Sequence, residues 1–264
     1  MSSPQLHRIR RGTGAPLLLI MGMGGHHRMW GEPFLSLLEK DFDIVAFDHR
    51  GIGTSDRADG PFTIADLAGD AARVLDLAGW DSAHVFGISL GGMVAQELAL
   101  LRPERVRTLA LGCTYPGAGG DLSATGAQRA VGASATRDAE LAVRTAFEVN
   151  LSARYAADPA HFAAFREVAL AVKVPAQVIL MQLQAGMGHD AIARLAGITA
   201  PTLVMHGTED EMLAVGNGVR IAELIPNARL ELFDGAGHLF WWEDPERTVA
   251  LLREHAAGSP SPLR

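Results

Sequence analysis

A single cysteine, Cys113, in a chain of 264 residues leaves no partner for an internal disulfide and no second thiolate for a multi-cysteine metal site. At the end of an apolar run, that thiol reads as a small core residue. Long hydrophobic runs are missing too. No window approaches the roughly 18 to 20 uninterrupted apolar residues that span a bilayer. Residues 1–11 carry charge but no apolar stretch ahead of a small-residue cleavage site. The expectation is a soluble, cytoplasmic protein with no membrane partner. Positive charge is scattered, 23 Lys and Arg against 30 Asp and Glu for a net charge of -7, so no basic stripe offers itself to nucleic acid. Neither an internal repeat nor a heptad run is visible.

What is present is an ordinary globular composition, 48% apolar and 20% charged, at a length that suits one large α/β domain or a core with an insertion. Short aliphatic runs punctuated by glycine at 17–21, 44–47, 83–86, 106–111, 202–206 and 230–233 read as buried strands. Helical patterns alternate with them at 29–39, 64–78, 90–101, 219–224 and 245–255, the second opening on Thr63-x-x-Asp66, a capping-box pair. Such alternation implies a mostly parallel sheet with helices on both faces. After residue 111 it lapses for about 85 residues, far longer than a connection inside a compact domain. The chain therefore divides into a first core segment 1–115, an inserted helical lid 116–198 and a second core segment 199–264, with lid helices at 138–150, 159–172 and 175–185. The Gly-rich entrance, 116–121, is either a hinge or a surface loop that tolerates insertion. Residues 258–264 read as a frayed tail.

The chemistry centres on Gly87-Ile88-Ser89-Leu90-Gly91. A strand precedes this G-x-S-x-G pattern and a helix follows it, which is the setting of a nucleophile elbow, where small residues two before and two after the serine permit a tight, strained turn. A serine that merely caps a helix after a glycine turn would share the pattern but would need no base. A nucleophilic serine does need one. Of the ten histidines, His238 follows a strand through Asp234-Gly-Ala-Gly237, a loop beyond a strand's carboxyl end, where open α/β sheets place their sites. His84 starts a strand at the wrong end, His206 reads as a buried strand end, and His49, His161, His189 and His255 read as surface or packing residues. His26 and His27 could line the pocket. Asp210, just past the strand 202–206, is the candidate carboxylate to orient the base, with Glu209 as its neighbouring rival and Asp234 as a turn residue. The backbone amides of Leu90 and Met23 are the candidate oxyanion donors, and Gly22, Gly24 and Gly25 let that backbone approach a substrate. The candidate pocket residues are Gly22, Met181, Met187, Leu239 and Trp241. Methionines and tryptophans in that number suggest a pliable apolar pocket, or simply core packing.

With Asp48-His-Arg-Gly-Ile-Gly-Thr-Ser55, Gly207-Thr-Glu-Asp210, and Gly235-Ala-Gly-His238 followed by Glu243-Asp-Pro-Glu246, the chain resembles the α/β-hydrolase superfamily over nearly its whole length. It looks most like the lidded bacterial esterases and lactonases, among them enol-lactone hydrolases and anthracycline-type methylesterases. The resemblance implies a lid after the sixth strand of the family pattern, and a serine hydrolase that needs no cofactor or metal and takes a small apolar or aromatic ester or lactone. It assigns Asp48, Arg50 and Ser55 to a structural turn. Relatives with the same triad hydrolyse C–C bonds or exchange acyl groups with peroxide, and a receptor that retains the fold without catalysis is a further alternative. Three departures stand out: Met21-Gly22 replaces the usual His-Gly, the superfamily's first strand is missing because residues 6–11 align with its second, and Ala214 replaces a common proline.

Overall fold

The computed structural model describes residues 4–121, 125–134, 136 and 138–258; the tail residues 259–264 lie outside them. Seven strands, β1 (Arg8–Arg11), β2 (Ala15–Ile20), β3 (Phe42–Phe47), β4 (Ala83–Ile88), β5 (Val106–Gly112), β6 (Thr202–Gly207) and β7 (Arg229–Phe233), form one sheet in the order β1-β3-β2-β4-β5-β6-β7. Only β1 runs antiparallel, pairing Arg8 with Phe47 at one edge; every other pairing is parallel. Each residue of β3, β4 and β6 is buried, as expected of parallel strands covered on both faces. Strand β1 has no such run because, as an edge strand of alternating exposure, it is built largely of arginine.

Eleven α-helices occur among the described residues: α1 (Glu32–Leu38), α2 (Ile64–Ala78), α3 (Leu90–Leu101), α4 (Thr125–Ser134), α5 (Ala139–Asn150), α6 (Ala153–Ala156), α7 (Pro159–Leu170), α8 (Ala176–Met187), α9 (Gly216–Leu224), α10 (Phe240–Glu243) and α11 (Pro245–Ala257). Residues of α2, α3 and α9 share one core layer, including Leu67, Val94 and Ile221. Residues of α1, α10 and α11 share the other, including Phe34, Trp241 and Leu252. Helix α2 has the predicted bounds because both ends are locally encoded. Asp66 donates its amide to Thr63 Oγ1 (3.1 Å) and accepts from the Thr63 amide at 2.8 Å, while Gly79 closes the helix at φ 75°. The single helix expected over 29–39 is instead a 3₁₀ turn, His27–Trp30, then α1. Gly31 at φ 77° breaks the run and Pro33 starts the second piece. Helix α4 escapes the pattern reading because two glycines, Gly126 and Gly132, and few large apolar residues leave it no stripe.

The helices α4 to α8, between β5 and β6, meet the turns at the carboxyl ends of the strands. The Gly24 amide, after β2, donates to Gln182 Oε1 on α8 (2.8 Å), and the Leu239 amide, after β7, donates to the Asn150 carbonyl that ends α5 (2.8 Å).

Candidate active site

Ser89 sits between β4 and α3 at φ 56° and ψ -122°, a conformation rare for a residue with a side chain. The neighbouring glycines are required by contact rather than by flexibility. A Cβ on Gly87 would lie 2.2 Å from the Gly91 carbonyl oxygen, and one on Gly91 would lie 2.0 Å from that of Ile20. The turn is then tied down: the Ser89 amide donates to the Gly112 carbonyl (2.9 Å) and Thr114 Oγ1 donates to the Ser89 carbonyl (2.6 Å). Leu90 is the first residue of α3, at the helix end whose amides have no partner within the helix.

The loop after β2 lies directly against this turn, for a Cβ on Gly22 would be 3.1 Å from Ser89 Cβ and 3.6 Å from its Oγ. The loop is fastened from three sides. Gly25 donates its amide to the Gly22 carbonyl (3.2 Å), Gln182 holds Gly24, and His49 Nε2, fully buried, donates to the Met21 carbonyl (2.9 Å). Burial lowers the His49 pKa and so favours the neutral ring. Neither Gln182 nor His49 was legible as a support: each reaches the loop from a distant element, and no local motif marks it.

Asp210 follows β6 with its carboxylate completely buried. Its Oδ1 accepts from the amides of Met212 (2.7 Å) and Leu213 (2.9 Å). Its Oδ2 lies 2.8 Å from His238 Nδ1 and 3.0 Å from His206 Nε2, which also faces the Leu213 carbonyl at 2.9 Å. Burial alone would raise the Asp210 pKa, but the charge of His238 and the hydrogen bonds from His206 and His238 outweigh it and hold the group well below the usual carboxylate range. His206, buried at the end of β6 as the sequence suggests, is also a second neighbour of the acid. Glu209 is exposed, and its amide donates to the Ala236 carbonyl; exposed Asp234 accepts from Thr208 Oγ1 at 3.5 Å. With His238 Nδ1–H directed to Asp210, Nε2 is the nitrogen left to take a proton.

Ser89 and His238 line one apolar cavity of about 290 Å³ together with Gly22, Met23, Leu239 and Trp241. A second cavity of about 620 Å³ shares Met23, Ser89, Val131 and Leu183 with the first and adds Leu90, Met93, Tyr115, Gln182 and Met187, the last 69% exposed. Met181 lines neither cavity. On a different face of α8 from Ile179, Leu183 and Gly186, it packs with Ala185 on the core, so its expected pocket role is corrected. His26, a candidate pocket residue, lines the first cavity, as do Met29, Phe165, Ile179 and Met212, which the sequence reading does not single out, although the i, i+4 spacing of Ile179 and Leu183 is a readable signal. His27 turns away: its Nδ1 lies 3.0 Å from Asp48 Oδ1, and it borders a separate cavity with Arg10 and Arg11. Asp48, Arg50 and Ser55 build a turn, with Ser55 Oγ donating to the Asp48 carbonyl (2.8 Å) and Arg50 paired to Asp70 (2.7 Å).

Among the described residues, two groups of three side chains bring potential metal-ligand atoms within 4.8 Å of one another, His7 with His27 and Asp48, and Cys113 with Asp210 and His238. In the first, His27 and Asp48 already satisfy each other. In the second, burial and then the Asp210 charge push the Cys113 thiol well above its ordinary pKa, which opposes the thiolate a metal would need. No helix among the described residues is long and apolar enough to cross a membrane.

A family model described as alpha/beta hydrolase fold matches residues 15–149 and 138–245. The chain is 34% identical, over 87% of its length and 86% of the relative's, to "Putative carbamate hydrolase RutD" of Azorhizobium caulinodans. It is 31% identical to a poly(3-hydroxyalkanoate) depolymerase of Ectopseudomonas oleovorans, over 94% of this chain and 88% of that one. Among solved structures, the enol-lactonase from Burkholderia xenovorans LB400 superposes with a TM-score of 0.83 at 25% identity, covering 96% of this chain and 97% of that one.

Proposed function

The chain belongs to the α/β-hydrolase family, and from that premise we propose that it is a serine hydrolase cleaving a carboxylic ester or lactone through an acyl-enzyme. The observation that carries this reading is the buried His238–Asp210 pair facing the same cavity as a serine held in a strained turn. Ser89 Oγ attacks the carbonyl carbon while His238 Nε2 takes its proton. Asp210 fixes the tautomer and stabilises the imidazolium, and the amides of Met23 and Leu90 receive the oxyanion. His238 then protonates the leaving oxygen, and water, activated by the same nitrogen, releases the acid. Residues 116–198 serve as a lid that excludes bulk water from the cavity. The lactonase and depolymerase similarities support an ester bond as the target.

A carbamate presents the same kind of carbonyl to the same groups, and the 34% identical relative makes it the second reading. The test is labelling by an active-site phosphonate, with the modified residue located by mass spectrometry. It is paired with a hydrolysis panel of aryl esters, lactones of varied ring size, carbamates and vinylogous diketones. Labelling at Ser89 with ester or lactone turnover is the expected result. Absence of labelling, or turnover of the carbamates or diketones alone, would overturn the assignment.

A further inference from the structure

Ser89 stands where two cavities meet, and neither offers a charge to a substrate. Among the described residues that line them there is no Lys, Arg, Asp or Glu. The polar side chains are neutral: Asn150 Nδ2 donates to the Ala146 carbonyl (2.7 Å), Gln182 Oε1 accepts from Gly24, and Gln182 Nε2 and both ring nitrogens of His26 are buried with no partner among the described residues. His26 is 1% exposed, and burial pushes its pKa down to about 4, so at neutral pH it carries no charge to pair with an anion. The basic residues on the adjoining helices are turned outward and occupied. Arg129 pairs with Glu211 (3.3 Å), Arg166 with Glu140 (2.7 Å), and the Arg144 guanidinium stacks 4.0 Å from the Phe162 ring centre.

We infer that the substrate is uncharged on both sides of the bond that is cut, with one apolar arm in each cavity, and that a carboxylate on either arm is rejected. The inference rests on the serine-hydrolase reading and narrows it. An ionised carboxylate moved from water into a mainly apolar chamber without a cation loses more solvation than a few neutral groups such as Gln182 Nε2 return. It must either be excluded or bind only in its scarce protonated form. The unequal volumes, about 290 and 620 Å³, add that the two arms differ in bulk. Apolar walls discriminate weakly between neighbouring chain lengths, so charge is the property this site reads most strongly.

The experiment compares matched pairs on the purified full-length chain. Ethyl hexanoate is set against monoethyl adipate for the acyl arm, and butyl butyrate against the butyrate ester of 4-hydroxybutanoate for the alcohol arm. The neutral member of each pair should have a kcat/KM at least about 100-fold higher. Leu183, which borders both cavities, supplies the converse test: Leu183→Arg should narrow that ratio by at least about tenfold, as a buried cation gives the carboxylate a partner. Carboxylate esters cleaved within about threefold of their neutral partners would overturn the inference while leaving the serine mechanism intact. Loss of all ester turnover together with absence of phosphonate labelling at Ser89 would instead remove the premise.

Discussion

The turns at the carboxyl ends of the strands and the helices inserted after β5 border the same cavities, but the sequence constrains them by different means. In the turns, single atoms decide the residue. Cβ atoms on Gly87, Gly91 and Gly207 would each come to 2.2 Å or closer to a backbone oxygen, and Asp210 is tied by hydrogen bonds at both oxygens. In the inserted helices, a Cβ on Gly132 would meet nothing within 4 Å, the cavity walls are mainly alanine, valine and leucine, and Leu141, Leu170, Leu180 and Met187 stay 47% or more exposed. On the proposed reading, chemistry is lodged where the backbone dictates the residue and substrate selection where many residues would serve.

The widest separation between the two regions should appear in turnover. Ser89→Ala and His238→Ala should each lower hydrolysis of a short aryl ester by roughly 10⁴ to 10⁶, with the double variant little worse than either. Asp210→Asn should lose about 10³ to 10⁴ through the wrong imidazole tautomer, whereas exposed Glu209→Gln should stay within about twofold. A larger loss in Glu209→Gln would move the acid by one residue.

Stability should show the same division. Gly91→Ala drives a methyl group into the backbone of Ile20 and should destabilise by about 3 kcal/mol or more. Gly132→Ala, in open space on α4, should stabilise by about 0.5 to 1 kcal/mol. Urea unfolding measures both, and a neutral Gly91→Ala would break the contrast.

Acid should weaken the fold through histidines held neutral by burial. His26, beside the cavity, and His84, at the amino end of β4, have pKa values lowered to about 4. The unfolded chain, with histidine pKa near 6.5, binds more protons between those values, so stability is intact above about 6.5 and falls as pH drops toward 4, by on the order of 2 kcal/mol for each residue. Unfolding free energies measured from pH 7 to 4 should show the slope, and His84→Gln should flatten it; an unchanged slope in that variant would remove His84 from the account.

A smaller effect on turnover tests the seam between the regions. Gln182→Leu leaves the Gly24 amide without its acceptor and should reduce kcat about tenfold with little change in KM, while Gln182→Glu, which keeps an acceptor, should recover most of the loss. Equal losses in the two variants would reduce Gln182 to a packing residue.

The same division explains what could be read from the sequence. Ser89, Asp210 and His238 each stand at a fixed offset from an aliphatic strand and a glycine, and the structure gathers them at one end of the sheet. The parallel core was readable because its strands carry short aliphatic runs. Edge strand β1 was visible only through the family resemblance, since its arginines carry no strand signal. In the inserted helices, counting methionines groups Met181 with Met187, whereas Met187 borders a cavity and Met181 packs on the core, because composition has no phase and only the stripe of Ile179, Leu183 and Gly186 separates cavity from core. His206, beside Asp210, was out of reach for another reason: the pairing depends on how the chain turns after β6, which no pattern of residue types records.

The hydrogen bond from Gly24 to Gln182 joins positions 158 residues apart. The insertion is therefore not a detachable module. A chimera that kept this sheet and transplanted the helices of a relative would inherit a new substrate preference only if the graft brought an acceptor to the place of Gln182 Oε1. Without one, the recipient would carry a loop whose amide points into protein with nothing to receive it, and a failed exchange would be misread as poor substrate fit. Recombination of this chain with its relatives is thereby limited by a single side-chain oxygen as much as by the shape of the cavity.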